Sequence, residues 1–407
     1  MTQEEFRSQF PVLDRLVYGK PLIYLDNAAT TQRPESVVAV QADSARLHNG
    51  NTHRAVHALA SEATAAFEKA REAVRQFIDA GSLEEIVFTS GTTASINLVA
   101  HSFGDKFLSQ GDEIIIAESE HHSDIIPWQL LCERKGTRIV VLPVDDSGRL
   151  EADKLPRLIT ERTKLVCVAQ VSNVLGLVNP VKEIVTLAHS HGIPVLVDGA
   201  QAVAHIPVSV RELDCDFYAF SGHKMYAATG IGVLYAKKRL LEQMPPFLGG
   251  GEMIDTVSWE SSTYAALPFK FEAGTPNINA VPAFVPAIDI INAARSSQMV
   301  LALDEIKRYV YDALTSDERI VLRGTTDKIT EKIPLFSFSV RGVHHEDLAL
   351  VLDKMGIALR SGHMCAQPLM TRYGVTGMLR ASFAPYNTMD EAKAFISSLD
   401  RAISMLL

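Results

Sequence analysis

The sequence predicts a layered α/β fold built on a mostly parallel seven-stranded sheet, with a smaller α+β unit toward the C-terminal end. Three observations lead there. Between residues 85 and 236, short apolar runs alternate with stretches of helical period. The runs are continuously apolar, as strands covered on both faces must be, where a half-exposed strand would alternate. After Lys237 this rhythm stops, Gly249-Gly-Gly251 marks a loop, and a different mixture of helices and strands follows.

Taken in order, residues 1–16 read as a short helix and linker. Ile23-Tyr-Leu-Asp26 runs into the small, polar turn Asn27-Ala-Ala-Thr-Thr31, and a loop holding His48, His53, Arg54 and His57 comes next. A helix over 61–78 places Phe67, Ala70, Val74 and Phe77 on one face. Strands are predicted at 85–89, 113–117, 138–142, 165–170 and 194–198, from Phe217 onward, and at 231–236. Helices over 94–103, from about 124, over 152–159 and over 181–191 separate them. Helical sequence from 281 to 314 leads into strands at 320–322, 335–340, 357–360 and 378–382. A helix from His345 is capped by Gly356, and a last helix runs to Leu407. We therefore expect a large domain over 17–293 and a small domain made of 1–16 and 294–407.

The 407 residues are ample for such a core, and 47% hydrophobic with 21% charged residues is ordinary for a globular protein. A net charge of −9 without a basic stripe argues against nucleic-acid binding. The first ten residues carry charges of both signs and no apolar run, and no apolar stretch nears the roughly 18 residues of a membrane span, so a soluble, cytoplasmic protein is expected. Cys132, Cys167, Cys215 and Cys365 are too few and too scattered for a disulfide framework. The first three lie in apolar stretches and read as packing residues. Cys365 lies in a polar loop.

Ligands of open α/β sheets bind beyond the carboxyl ends of the strands, and the residues there form a chemically coherent set. Gly91-Thr92-Thr93 opens a helix, offering amides, hydroxyls and a helix N-terminus to a phosphate. His121 and His122 follow the next strand, and Asn173 a later one. Asp198 ends a wholly apolar strand, where a carboxylate needs a cation. Lys224 follows a buried aromatic strand, a setting that favours the neutral, nucleophilic amine of Schiff-base chemistry. Pyridoxal 5'-phosphate meets all these requirements: an aldehyde for Lys224, a phosphate for Thr92 and Thr93, and a protonated ring nitrogen for Asp198. Its ring face suits His121, and its phenolic oxygen Asn173 or Gln201. A metal centre on Glu118, Glu120, His121 and His122 matches no zinc spacing, so no metal is expected.

Asp198-Gly-Ala-Gln201, Ser221-Gly-His-Lys224, Glu120-His-His122, Gly274-Thr-Pro-Asn277 and Arg360-Ser-Gly-His-Met-Cys365 together resemble the cysteine desulfurases, specifically the SufS-like (group II) branch of the class V aminotransferase family. The resemblance covers essentially the whole chain. It implies fold type I of the pyridoxal-phosphate enzymes, a homodimer, and release of sulfur from L-cysteine to leave L-alanine. Lys224, Cys365 and His121 are implied as catalytic. Thr93, Ser221 and His223 would bind phosphate, Thr275 the phosphate of the other subunit. Arg380 would hold the substrate carboxylate, with Asn173, Arg360 and His53 nearby; Arg54 belongs to the same N-terminal loop. A SufE- or SufU-type sulfur acceptor and the iron–sulfur cluster assembly (SUF) system are implied as partners. Ala94, Met364 and Ala227-Ala228 depart from the residues common in relatives.

In the reaction so implied, Lys224 removes the substrate α-proton, Asp198 keeps the ring nitrogen protonated, and Cys365 takes the sulfur as a persulfide. An unperturbed thiol of pKa about 8.5 is a few per cent ionised at pH 7, and Arg360 and His363 are near enough in sequence to favour the anion. The same residues would serve L-selenocysteine, making a selenocysteine lyase the nearest alternative. An aminotransferase has no use for Cys365, and a non-catalytic sulfur-transfer scaffold has none for Lys224, Asp198 and Arg380.

Overall fold

The structure is a computed structural model that describes residues 2–53 and 56–407. Seven strands form the large sheet: β1 (Ile86–Thr89), β2 (Glu113–Ala117), β3 (Arg138–Leu142), β4 (Thr163–Ala169), β5 (Val195–Asp198), β6 (Phe217–Ser221) and β7 (Gly232–Ala236). Their order across the sheet is β1-β7-β6-β5-β4-β2-β3. β7 is antiparallel to both neighbours, and the remaining pairs are parallel. The predicted fold class is therefore the observed one. Alternate residues of β6 serve opposite faces, Tyr218 and Phe220 packing in one apolar cluster and Phe217 and Ala219 in the other. With both faces covered, every residue of the strand is buried, which is why the sequence reads as an unbroken apolar run.

Register sets out the chemistry along one edge. Asp198 pairs with Ala169 on one side and Ala219 on the other, and Gly232 lies between Thr89 and Ser221. A Cβ on Gly232 would come within 2.4 Å of the Gly91 backbone, so glycine is what lets β7 pass behind the turn after β1.

The second sheet consists of β8 (Ile320–Arg323), β9 (Leu335–Val340), β10 (Arg360–Gly362) and β11 (Met378–Ser382), in the order β8-β9-β11-β10 and antiparallel throughout. Helices Ser297–Ser316, His345–Lys354 and Met389–Leu406 cover it, with Leu348, Leu352, Phe338 and Phe395 in a separate core. The turn over 172–177 joins the two sheets. Lys332 Nζ donates to Leu175 O and, at 3.1 Å, to Gly324 O, while Ile333 N donates to Gly176 O at 2.8 Å.

Four local differences from expectation have physical reasons. Helix Glu35–Leu47 occupies part of an expected loop; it buries only Val37, so it has no apolar stripe to read. The hairpin Ile254–Val257 with Ser262–Tyr264 was not expected either, because almost all of it is exposed. The helical stretch 281–314 is interrupted where Ser296 adopts extended angles between Phe284–Ala294 and Ser297–Ser316. The strand expected over 357–360 is two strands: Ile357–Ala358 pairs with Ile23–Tyr24, and Arg360–Gly362 pairs with β11. Gly356 sits at φ +87° beyond helix His345–Lys354, donating to Asp353 O at 2.9 Å, as a C-terminal glycine should. Among the described residues no helix is long and apolar enough to cross a membrane.

Candidate active site

A cavity of about 550 Å³ opens at the carboxyl edge of the large sheet, roofed by the loop that follows β10. It gathers Lys224, Asp198, Thr92, Thr93, His121, Ser221 and His223 from the large sheet's edge, with Asn173 and Gln201 beside them. Arg360, Arg380 and Cys365 reach it from the small sheet. A larger hollow of about 1170 Å³ lies at the opposite edge. Several of its charges pair with one another: Asp216 meets His189 and Arg239 at 2.7 Å each, and Lys237 meets Asp214 at 2.6 Å. In the carboxyl-edge cavity, by contrast, the buried Asp198 and the half-buried Lys224 form no ion pair among the described residues.

Lys224 stands in a tight turn, Gly222–Lys224, directly after β6. Burial pulls its amine below the ordinary lysine range, while Asp198 pulls the other way. Burial likewise raises the Asp198 carboxyl, against the opposing pull of Lys224 and of the Ala200 N–H, which donates to Oδ1 at 2.8 Å. Each thus limits the displacement of the other.

Beside them is a hydroxyl-lined corner. Gly91 takes φ +150° before helix Thr92–Phe107, and a Cβ there would sit 3.3 Å from Ser221 Oγ. Thr92 N donates to Ser221 Oγ at 2.8 Å, the Thr92 and Ser221 hydroxyls lie 2.7 Å apart, and Thr93 Oγ1 lies 2.7 Å from Ser123 Oγ. Hydroxyls, amides and a helix N-terminus suit a phosphate dianion. His223 is held near pKa 4 by burial, then by Lys224 and Arg33, so it faces this corner as a neutral donor or acceptor.

His121 Nδ1 accepts from Ser123 N at 3.0 Å, which leaves the neutral ring's proton on Nε2. Burial, with Lys224 next, holds it down to about 3. Asn173 Nδ2 donates to Met364 O and Gln201 Nε2 to Ala28 O, both at 2.7 Å, so each amide is fixed by backbone and keeps a second hydrogen. Beneath the cavity floor Glu120 and Asp124 are both fully buried. Burial pushes both carboxyls well up, and for Glu120 the neighbouring Asp124 adds to the effect. With Glu120 raised and Asp124 hydrogen-bonded to it, the two carboxyls share a proton, Glu120 O–H donating to Asp124. This pair escaped the sequence reading, since both residues stand in a polar stretch that reads as loop.

Arg380, on β11, is 3% exposed. Nη1 donates to Asn173 O at 2.8 Å, Nη2 lies 3.5 Å from Asp26, and Nε has no partner. Burial, opposed by Asp26, lowers it to about 10. A guanidinium that lines the cavity with its Nη2 held only by a 3.5 Å contact keeps hydrogen-bonding capacity for a carboxylate. Arg360 is bound to Asp26 at 3.0 Å, with Oδ2 accepting from Nη2, so Asp26 organises both arginines. Its position after Ile23-Tyr-Leu was the available signal. Cys365 is exposed and Cys167 and Cys215 are buried; among the described residues all four cysteines are free.

Two expected site residues lie outside this cavity. His53 binds Glu68 at 3.0 Å and packs on Phe269, and Thr275 is exposed on its loop. Arg54 lies outside the described residues.

A lysine at a buried strand end, a carboxylate on the neighbouring strand and a hydroxyl-lined helix start define the class: an α/β fold that sets an amine and an anion-binding corner at the carboxyl edge of its sheet. The family described as aminotransferase class-V matches residues 23–395. The cysteine desulfurase of Klebsiella pneumoniae is 45% identical over 404 residues, covering 99% of this chain and 98% of that protein. The probable cysteine desulfurase of Halalkalibacterium halodurans is 47% identical over 401 residues, 98% of each. The crystal structure of the cysteine desulfurase CsdA (S-sulfonic acid) from Escherichia coli superposes with a TM-score of 0.91 at 41% identity, covering 100% of both chains. The chain belongs to the class-V aminotransferase family, and within it to the group II, SufS-like cysteine desulfurases.

Proposed function

We propose that this protein is a pyridoxal-phosphate-dependent cysteine desulfurase that converts L-cysteine to L-alanine and leaves the sulfur on Cys365. The observation that carries the reading is an exposed thiol lining the same cavity as a half-buried lysine, a buried aspartate and a buried arginine.

The residues fit the cofactor that the family implies. Asp198 offers a buried carboxylate that needs a cation, Thr92, Thr93, Ser221 and His223 form a phosphate corner, and Lys224 brings an amine lowered by burial. Pyridoxal phosphate, when bound, supplies an aldehyde for an amine and a protonated ring that draws electrons from the substrate α-carbon. Asp198 would keep that ring nitrogen protonated, and His121, neutral at any working pH, would lie against the ring without adding charge. Lys224 would carry the α-proton away. Asn173 and Gln201, fixed by backbone, would present their remaining amide hydrogens to the ring oxygen.

Arg380 would take the substrate carboxylate through the weakly engaged Nη2 end of its guanidinium, with Arg360 alongside. Cys365, as thiolate, attacks the substrate sulfur; the new S–S bond forms as the C–S bond breaks. The electron pair of the broken bond stays with the carbon fragment, which is protonated and leaves as alanine. The balance is one L-cysteine in, one L-alanine out, and a persulfide in place of the thiol.

The homodimer belongs to the same reading: Thr275 is exposed and outside its own cavity, as a residue serving a partner's phosphate would be. His53 and Arg54 stay with that N-terminal loop. Residues 17–293 would act as the cofactor domain, and 1–16 with 294–407 as the domain that brings the cysteine. Delivery to a SufE- or SufU-type acceptor for iron–sulfur cluster assembly rests on the SufS-like motifs, and a reducing, cytoplasmic setting accords with four unpaired cysteines. Adding L-cysteine to the purified holoenzyme should change its visible spectrum and produce alanine and persulfide sulfur in equal amounts. Formation of a keto acid instead would overturn the reading.

A further inference from the structure

We propose that His122 is a positioning residue that clamps the Cys365 loop in its cavity-facing arrangement, an inference that rests on the reading of Cys365 as the sulfur-accepting thiol. The loop needs a clamp. Met364 and Cys365 stand at φ +50° and +55°, two successive left-handed residues that are not glycine. Such a pair persists only where surrounding contacts over-determine it.

Five hydrogen bonds do so, and two of them come from His122. Its backbone N–H donates to Cys365 O at 2.6 Å. Its Nε2 accepts from Gln367 N at 3.0 Å, two residues beyond the cysteine. Of the other three, Ala366 N donates to His363 O at 2.9 Å and closes the turn around Met364 and Cys365, while Asn173 Nδ2 donates to Met364 O at 2.7 Å and Cys365 N to His363 Nδ1 at 3.2 Å. Among the described residues, the His122 bonds are the ones that join the segment from Cys365 to Gln367 to the loop after β2.

The Gln367 contact has a definite logic. Gln367 opens helix Gln367–Arg372, and Ala366 at the cap position has no side-chain oxygen to offer. Helix starts leave donors unsatisfied, and a cap is ordinarily local. Here the acceptor is imported from the loop after β2, which ties the cysteine segment to the large sheet's edge. An accepting Nε2 places the neutral ring's proton on Nδ1, so the bond exists only with an unprotonated imidazole.

The ligand atoms of His122, His363 and Cys365 lie within 4.8 Å of one another. Yet His122 Nε2 and His363 Nδ1 already accept backbone N–H groups, so a cation on those lone pairs would displace both bonds that shape the loop. The cluster reads as a clamp.

The test uses the holoenzyme and two variants. His122→Phe keeps a flat ring without an acceptor; His122→Gln returns an amide oxygen near the Nε2 position. Alkylation of Cys365 by iodoacetamide is followed by mass spectrometry, and kcat and KM for L-cysteine are measured alongside. His122→Phe should alkylate about fivefold faster, the factor expected for one hydrogen bond, and lose kcat by a similar factor at unchanged KM. His122→Gln should return to within about twofold of the parent on both. Unchanged alkylation in His122→Phe overturns the clamp, as does a His122→Gln variant as reactive as His122→Phe. Should His122→Phe not fold, Gln367→Pro deletes the donor at a helical position where proline is tolerated and should give the same increase; no increase there overturns the clamp. The alkylation readout needs no turnover. A shift in it, restored by His122→Gln, supports the clamp even if the parent forms no persulfide, which would overturn only the desulfurase reading.

Discussion

The floor of the cavity and the loop that roofs it are built by opposite means. The floor groups stand at or just beyond the ends of strands buried on both faces: Asp198 is the last residue of β5, and Lys224 follows β6 by one turn. Their positions are set by sheet register, which shifts only if a whole strand shifts. The thiol instead rides a loop with strained backbone, fixed by a handful of hydrogen bonds. Proton transfer demands a fixed amine and carboxylate in a dry place. Sulfur transfer demands a group that meets one partner inside and another outside, so a rigid strand end would serve it badly.

Substitutions that separate these two regions test the contrast, and the largest effect belongs to the loop. Cys365→Ala should abolish persulfide formation while the cofactor's visible absorbance stays, measured by spectrum and sulfur assay on one sample. Lys224→Ala removes the floor's amine. Alanine production should fall by about 10³-fold, as for loss of a general base, and borohydride reduction should no longer fix the cofactor to the chain. A smaller effect is expected between the two. Arg380→Lys keeps the charge and loses the planar fork, so kcat/KM for L-cysteine should fall by about 10- to 100-fold, chiefly through KM.

The smallest effect tests the joint between the sheets. Lys332 is buried, its amine held down to about 7 by desolvation, and it donates to the turn that carries Asn173. In the unfolded chain a lysine titrates near 10.4. Between those values the unfolded state binds the extra proton, so this group's stabilisation is complete above the unfolded value and is lost as pH falls toward 7. Raising the pH from 7 to 9 should therefore lift the Tm of the parent relative to Lys332→Met, by roughly 1–4 °C. A parallel Tm dependence in the two proteins would show that Lys332 is charged when folded.

The strands of the large sheet were legible because burial on both faces leaves a plain mark, an unbroken apolar run with a chemical residue at its end. Helix Glu35–Leu47 was not, because a helix that buries one side chain has little pattern to display. The single expected strand over 357–360 shows another limit. Its residues are uniformly strand-like, and only the arrival of Ile23–Tyr24 on one part and Met378–Ser382 on the other divides it. Arg360 shows the same for the site. Its nearness to Cys365 in sequence pointed to the thiol, whereas its guanidinium meets Asp26, more than three hundred residues away along the chain.

By itself, the sequence determined the fold class, the lysine, aspartate and cysteine on which the proposed chemistry turns, and the order in which strand ends deliver them. Those properties are local: residue type, period, and the polar residues that close an apolar run. Tertiary structure alone decided which groups are held and by which partners. It gave Asp26 two arginines, left Glu120 and Asp124 buried together, and turned His122 from the neighbour of His121 into a contact on the cysteine loop. Contacts between distant segments depend on register and approach in space, and no spacing along the chain records them.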